Sequence, residues 1–207
     1  MVFAMSQVRH ILYAIANLLA AGEQKFGELD AKQGDGDLGT TMASGANAVR
    51  KVLDAQSITD IGALLQTVAA AFNRAAPSTL GTLFSAGVRA VGSVCKGKEA
   101  LTADEVAALP SVFCEEIQKR GKAKLGDKTV LDALIPYVRA FETSYQSEHD
   151  LRLASRVAES AAVQGMETTK GMVAKTGRAR WLGERNKEYP DGGAVLWCDI
   201  AHLLADQ

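Results

Sequence analysis

Residues 8–19 read VRHILYAIANLL, and residues 29–41 read LDAKQGDGDLGTT. In the first stretch Val8, Ile11, Leu12, Ile15, Leu18 and Leu19 recur at the spacing of one helical face. In the second, Asp30, Asp35 and Asp37 crowd among Gly34, Gly36 and Gly39, between two segments that both read as helix. The apolar stripe points to a helical fold, and the aspartate loop points to its chemistry.

The helical spacing continues along the chain. Met42, Ala46, Val49 and Leu53 share a face of a second helix; Ile61, Leu64, Leu65, Val68 and Phe72 mark a third. A Gly- and Ala-rich fourth covers about Leu80 to Val94. Thr102 and Glu105 form a capping box that opens a fifth, which Gly121 ends. Asp127 is the expected N-cap of a sixth, with Pro136 a point of kinking or splitting. A seventh is expected over Asp150 to Lys175, with Gly177 beyond it, and an eighth over Gly193 to Ala205. Period-2 alternation is almost absent. The fold class is all-α, about eight antiparallel amphipathic helices in a bundle, and residues 1–207 read as a single domain.

The 207 residues are 47% apolar and 23% charged, which suits one globular domain, and the net charge of −1 offers no general field for nucleic acid or an anionic membrane. Cys95, Cys114 and Cys198 are odd in number and lack a Cys-x-x-Cys spacing, so they read as buried reduced thiols. His10, His149 and His202 are as scattered, which disfavours a histidine-based metal site. The N-terminus lacks the basic start of a signal peptide, and no apolar run is long enough to span a bilayer, so the expected location is cytoplasmic.

Carboxylates are hard ligands for Mg²⁺, Mn²⁺ or Ca²⁺. Asp35 and Asp37 flank a single glycine, and Asp30 can reach the same point if the loop folds back. An EF-hand fails in both frames: from Asp35, positions 5 and 12 fall on Gly39 and Ala46; from Asp30, positions 3 and 5 fall on Lys32 and Gly34. An ordinary solvated Asp/Gly turn remains the competing reading. Leu38, Gly39, Thr40 and Thr41 then open a helix whose first N–H groups and dipole favour an anion. Magnesium held by few carboxylates completes its shell with water and phosphate oxygens. The pair suits a Mg²⁺–nucleotide complex, without the Walker P-loop sequence.

Other loops carry weaker signals. Ser78, Thr79 and Gly81 precede a helix, as any helix start would. Lys122, Lys124 and Lys128 read by default as a solvated basic loop. The segment from Lys175 to Val195 is longer than a connection needs, and carries Arg178, Arg180, Arg185 and the Asp191-Gly192-Gly193 turn.

Together LDAKQGDGDLG, GDKTVLDALIP (126–136) and GRARWLGERNKEYPDGGA (177–194) resemble the nucleotide-binding L subunit, or DAK2 domain, of dihydroxyacetone kinases. The resemblance implies an eight-helix closed barrel with ADP or ATP at one end and two Mg²⁺ ions bridging Asp30, Asp35 and Asp37 to the phosphates. Nucleotide contacts would fall at Leu38, Gly39, Thr40, Thr41, Thr79, Leu80, Gly121, Val130, Arg178, Asp191, Gly192 and Gly193. In that family the ketose sits on a separate K-type subunit or domain. The phosphoryl donor is ATP or a phosphotransferase-system protein. A chain of this length matches the stand-alone L form, and a homodimer is expected. Leu38 stands where the family has histidine, Thr41 where it has asparagine, and Pro77-Ser78-Thr79-Leu80-Gly81 where it has a Gly-Ala-Ser-Gly-type loop. The leading expectation is a Mg²⁺- and nucleotide-dependent phosphoryl-transfer subunit of a small-ketose kinase, with no general base of its own. A non-catalytic, nucleotide-sensing regulatory paralogue is the alternative.

Overall fold

The computed structural model describes residues 2–55 and 57–207, with the side chain of Arg178 also outside the described residues. Among them the chain forms nine α-helices, a 3₁₀ stretch and one two-stranded antiparallel sheet, so the all-α expectation holds. It divides into two compact units, residues 1–21 with 41–121, and residues 22–40 with 122–207. No helix among the described residues is long and apolar enough to cross a membrane.

In the first unit β1 (Val2–Ala4) pairs with β2 (Ala100–Thr102). Strands of three residues are too short to leave a period-2 signal, which is why the sequence reads as helix up to its N-terminus. α1 (Met5–Ala21), α4 (Ile61–Ala75), α5 (Thr79–Val94) and α6 (Ala103–Gly121) supply the remaining walls, with most of α3 (Leu38–Asp54). Ile61, Leu65, Val91, Cys95 and Leu101 form a buried cluster, covered by Phe3, Val8, Leu12 and Phe113. The Thr102 capping box forms: Thr102 N donates to Glu105 Oε2 at 2.7 Å and Glu105 N to Thr102 Oγ1 at 3.2 Å.

In the second unit α2 (Glu23–Ala31) packs on α9 (Gly192–Ala205), and α7 (Leu131–Glu148) packs on α8 (Leu151–Thr168) and α9. Gly22 separates α1 from α2, so the single first helix expected from the stripe is two. α8 buries a row of small residues, Ala154, Ala158, Ala162 and Gly165. Asp150 caps it by accepting from Arg152 N and Leu153 N at 2.8 and 3.0 Å. It ends at Thr168, short of the expected Lys175, and Gly171 follows with φ +83.

Two further expectations are corrected. Asp127 does not cap α7: Lys128 has φ +59, outside the helical region, and the helix begins three residues later at Leu131. Asp127 accepts from Lys124 N at 2.8 Å instead. Pro136 does not split the first turn of α7 from the rest, and the helix runs through it to Glu148. Proline removes the helical donor for the carbonyl four residues earlier, Asp132, and α8 closes on that carbonyl: a Cβ at Gly165 would lie 2.1 Å from Asp132 O and 3.0 Å from Pro136 Cγ. Gly165→Ala therefore drives backbone against backbone. It is expected to cost about 1–3 kcal/mol and to lower the Tm in a thermal melt; a parent-like Tm contradicts this packing.

Candidate functional site

The loop from Lys32 to Asp37 connects α2 to α3. Gln33 N and Gly34 N donate to Asp30 O at 2.8 and 2.6 Å, turning the chain back over the end of α2. A Cβ at Gly34 would lie 2.7 Å from Asp30 Oδ1. Gly36, at φ +78, takes the left-handed conformation that places Asp35 and Asp37 on either side of the turn. Asp30, Asp35 and Asp37 each offer a carboxylate oxygen within 4.8 Å of the others.

The surroundings suit a hard divalent cation. The donors are all carboxylate oxygens, with Asp30 and Asp37 half-buried and Asp35 exposed, which leaves a side open to solvent or substrate oxygens. Burial, then the neighbouring Asp30 charge, pushes the Asp37 carboxyl up from its ordinary value. Like charges held this close are the imbalance a cation relieves. Leu38 N donates to Asp30 Oδ2 at a long 3.4 Å, joining the carboxylates to the first turn of α3. A Cβ at Gly39 would fall 1.9 Å from Glu23 O, so glycine is what lets α3 start against α2. The N–H groups of Gly39 and Thr40 lie in the first helical turn, where no intrahelical acceptor exists.

The second wall is the segment after α8. Gly171 N donates to Lys187 O at 2.8 Å, and a 3₁₀ stretch, Arg178–Glu188, is broken by Gly183 at φ +54. Gln33 Nε2 donates to Pro190 O at 2.6 Å, and Lys32 Nζ lies 5.2 Å from the Tyr189 ring centroid. These contacts join the aspartate loop to the Asp191–Gly193 turn. Leu38 packs on Gly192, where an added Cβ would lie 3.2 Å from Leu38 Cδ2.

Asp191 caps α9, accepting from Ala194 N at 2.8 Å, while its own N–H donates to Thr169 Oγ1 at 2.9 Å. Burial pushes its carboxyl up to about 7, assisted by the Asp132 charge and opposed by the Ala194 and Gly193 amides and by Lys128.

The sequence-predicted residues thus fall in both units. Asp30, Asp35, Asp37, Leu38, Gly39, Thr40 and the Asp191–Gly193 turn gather in the second, with Val130, buried at the head of α7. Thr41 lies one residue into the first unit along α3. Thr79 and Leu80 open α5 there, behind an N-cap in which Ser78 Oγ accepts from Gly81 N at 3.1 Å, and Gly121 ends α6. The predicted contribution of the Arg178 side chain lies outside the described residues.

Sequence reasoning missed three residues that shape this wall: Gln33, Thr169 and Lys128, which are 4%, 0% and 2% exposed. Lys128 is not the solvated lysine it was read to be. Nothing in its residue type marks it; its place in GDKTVLDALIP was the available signal.

The DAK2 domain family profile matches residues 32–206. The chain belongs to the DAK2 domain family. The PEP-dependent dihydroxyacetone kinase ADP-binding subunit DhaL of Escherichia coli is 27% identical over 99% of this chain and 98% of its own length. D-erythrulose kinase of Mycolicibacterium smegmatis is 31% identical over 93% of this chain and 34% of its own. The chain spans about a third of the length of the first such curated relatives. The crystal structure of C. freundii dihydroxyacetone kinase in complex with AMP-PNP and Mg²⁺ superposes with a TM-score of 0.73 at 26% identity, covering 100% of this chain and 34% of that one.

The Asp191 carboxyl gives a pH signature. Its ordinary value is about 3.9 and its folded value about 7, so the folded state binds the proton more tightly than the unfolded state. Stability is then lost as pH rises from about 4 to 7, and the loss is complete above about 7. Asp191→Asn keeps an oxygen acceptor for Ala194 N and does not titrate. The Tm of Asp191→Asn relative to the parent is expected to rise between pH 5 and pH 8; a constant difference contradicts the buried carboxyl.

Proposed function

We propose that this chain is the nucleotide- and magnesium-binding phosphoryl-transfer component of a small-ketose kinase, dihydroxyacetone or a related sugar being the acceptor. The observation that carries the proposal is the convergence of Asp30, Asp35 and Asp37 immediately ahead of the α3 N-terminus. Carboxylates next to the N-terminus of a helix match a ligand that is both cation and polyanion, which is what Mg·ADP or Mg·ATP is. Family membership and the names of its relatives support the same reading.

In this proposal two Mg²⁺ ions are held by Asp30, Asp35 and Asp37. Bound magnesium supplies charge neutralisation for phosphoryl transfer. The chain's own residues position the nucleotide. The first-turn amides of α3 would bind its phosphates, with the Thr40 and Thr41 hydroxyls as further donors. The proposed remaining contacts are Thr79, Leu80, Gly121, Val130, Arg178 and the Asp191–Gly193 turn. The acceptor ketose sits on a separate K-type subunit, so no general base is required here. The donor is ATP or a phosphotransferase-system protein that recharges bound ADP, and the proposed setting is cytoplasmic, as a homodimer.

A second reading has one observation in its favour. Leu38 offers no side-chain donor to phosphate, and its side chain is buried against Gly192. A nucleotide-sensing regulatory subunit fits a site that binds and does not transfer.

Asp30→Ala, Asp35→Ala and Asp37→Ala are each expected to abolish Mg²⁺-dependent ADP binding in calorimetry, and three variants that bind Mg·ADP like the parent end the proposal. Mixing the chain with a K-type ketose-binding protein and either ATP or a PEP-charged phosphotransferase protein then separates the readings. Phosphorylated ketose supports the kinase component, and nucleotide binding without transfer across donors and ketoses supports the sensor.

A further inference from the structure

Lys128 combines two unfavourable features in one residue. Its side chain is 2% exposed, and its backbone sits at φ +59, a conformation that glycine tolerates and lysine rarely adopts. A buried ammonium is costly unless its three donors find acceptors. Here they find backbone carbonyls: Nζ donates to Asn186 O at 2.6 Å, Tyr189 O at 2.7 Å and Met172 O at 3.3 Å. These acceptors lie 58, 61 and 44 residues along the chain, all in the segment between α8 and α9.

Outside the 3₁₀ stretch that segment has little regular hydrogen bonding of its own. Gly171, Gly177 and Gly183 all have left-handed φ, and Gly183 interrupts the 3₁₀ stretch. Its course depends on isolated ties: Gly171 N to Lys187 O, Lys175 N to Asp127 O at 3.1 Å, Asn186 Nδ2 to Ala179 O at 2.8 Å, Gln33 to Pro190 O, Thr169 to Asp191 N, and the Lys128 ammonium. Gly171–Lys187 and Thr169–Asp191 each tie the two ends by one neutral hydrogen bond, whereas Lys128 grips both at once, Met172 at the start and Tyr189 two residues before Asp191. Three carbonyls converging on one cation fix the separation of those ends, as a single neutral hydrogen bond would not.

We infer that Lys128 is a positioning residue for nucleotide binding: its ammonium sets the course of residues 172–190, and so the placement of position 178 and of the Asp191–Gly193 turn, without touching the nucleotide itself. This role rests on the nucleotide reading given above. The aspartate cluster is built by the backbone bonds and glycines of the α2–α3 loop, none of which Lys128 touches, so metal affinity and nucleotide affinity should separate.

The test compares the parent with Lys128→Met, which keeps the bulk and loses the charge, and Lys128→Gly. Glycine relieves the left-handed backbone and leaves room for water to solvate the carbonyls, so it folds where methionine fails. Three quantities are measured on the full chain: Mg·ADP affinity by calorimetry, Mn²⁺ affinity without nucleotide by electron paramagnetic resonance, and amide hydrogen exchange by peptide. The expected result is Mg·ADP affinity lowered roughly 10- to 100-fold, Mn²⁺ affinity within about threefold of the parent, and faster exchange confined to peptides from 172–190. A merely structural lysine would speed exchange there and leave Mg·ADP affinity unchanged, which overturns the inference, as does parent-like exchange. Loss of Mn²⁺ affinity in parallel with nucleotide affinity also overturns it, since the damage is then not confined to the wall. A parent that binds no Mg·ADP ends the nucleotide reading, and this role with it. A parent that binds, beside variants that bind equally, ends only the role of Lys128.

Discussion

Three carboxylates with oxygens within 4.8 Å of one another constrain everything around them. Asp30 and Asp37 are half-buried, so water cannot fully screen their charges. The chain nevertheless holds them together by covalent and backbone means. Gly34 leaves room for the Asp30 carboxylate, Gly36 supplies the left-handed turn, and Gly39 lets α3 start against the Glu23 carbonyl. At Gly34 and Gly39 a side chain would push against the carboxylate or the helix start, and at Gly36 it would strain the left-handed backbone. A loop selected only to connect two helices has no need of this set.

The neighbouring wall solves a different problem, holding a long and irregular segment in one course. It uses buried polar side chains against backbone groups: Gln33 to Pro190, Thr169 to Asp191, Asn186 to Ala179, and Lys128 to three carbonyls. Side-chain to main-chain bonds of this kind can anchor a segment that has no ladder to join. The wall meets the aspartate loop at Pro190 and at the Leu38–Gly192 contact, so the first turn of α3 and the Asp191 cap belong to one construction.

Much of this was legible in the sequence because it rests on local rules. The apolar stripes gave α3, α4 and α5 close to their observed extents, and the Thr102–Glu105 box forms as written. The aspartates were legible because three like charges among glycines have few uses, and Leu38 stood out against the family pattern. What escaped was decided by tertiary contacts. The β1–β2 pair joins segments nearly a hundred residues apart through strands of three residues. Asp127 has the right residue type for an N-cap, but Lys128, its ammonium anchored far along the chain, takes a left-handed conformation, and α7 begins only at Leu131. Lys128 itself looked solvated, as lysines in loops usually are, because the carbonyls that bury it lie far along the chain.

The central claim is that the Asp30–Asp35–Asp37 cluster and the α3 N-terminus bind one metal–nucleotide ligand jointly. Mn²⁺ titration of the parent chain, followed by electron paramagnetic resonance with and without ADP, tests this most directly. The account predicts that ADP markedly tightens Mn²⁺ binding and, by linkage, that EDTA weakens ADP binding by the same factor. Mn²⁺ affinity indifferent to ADP, or ADP binding undiminished in EDTA, would contradict it.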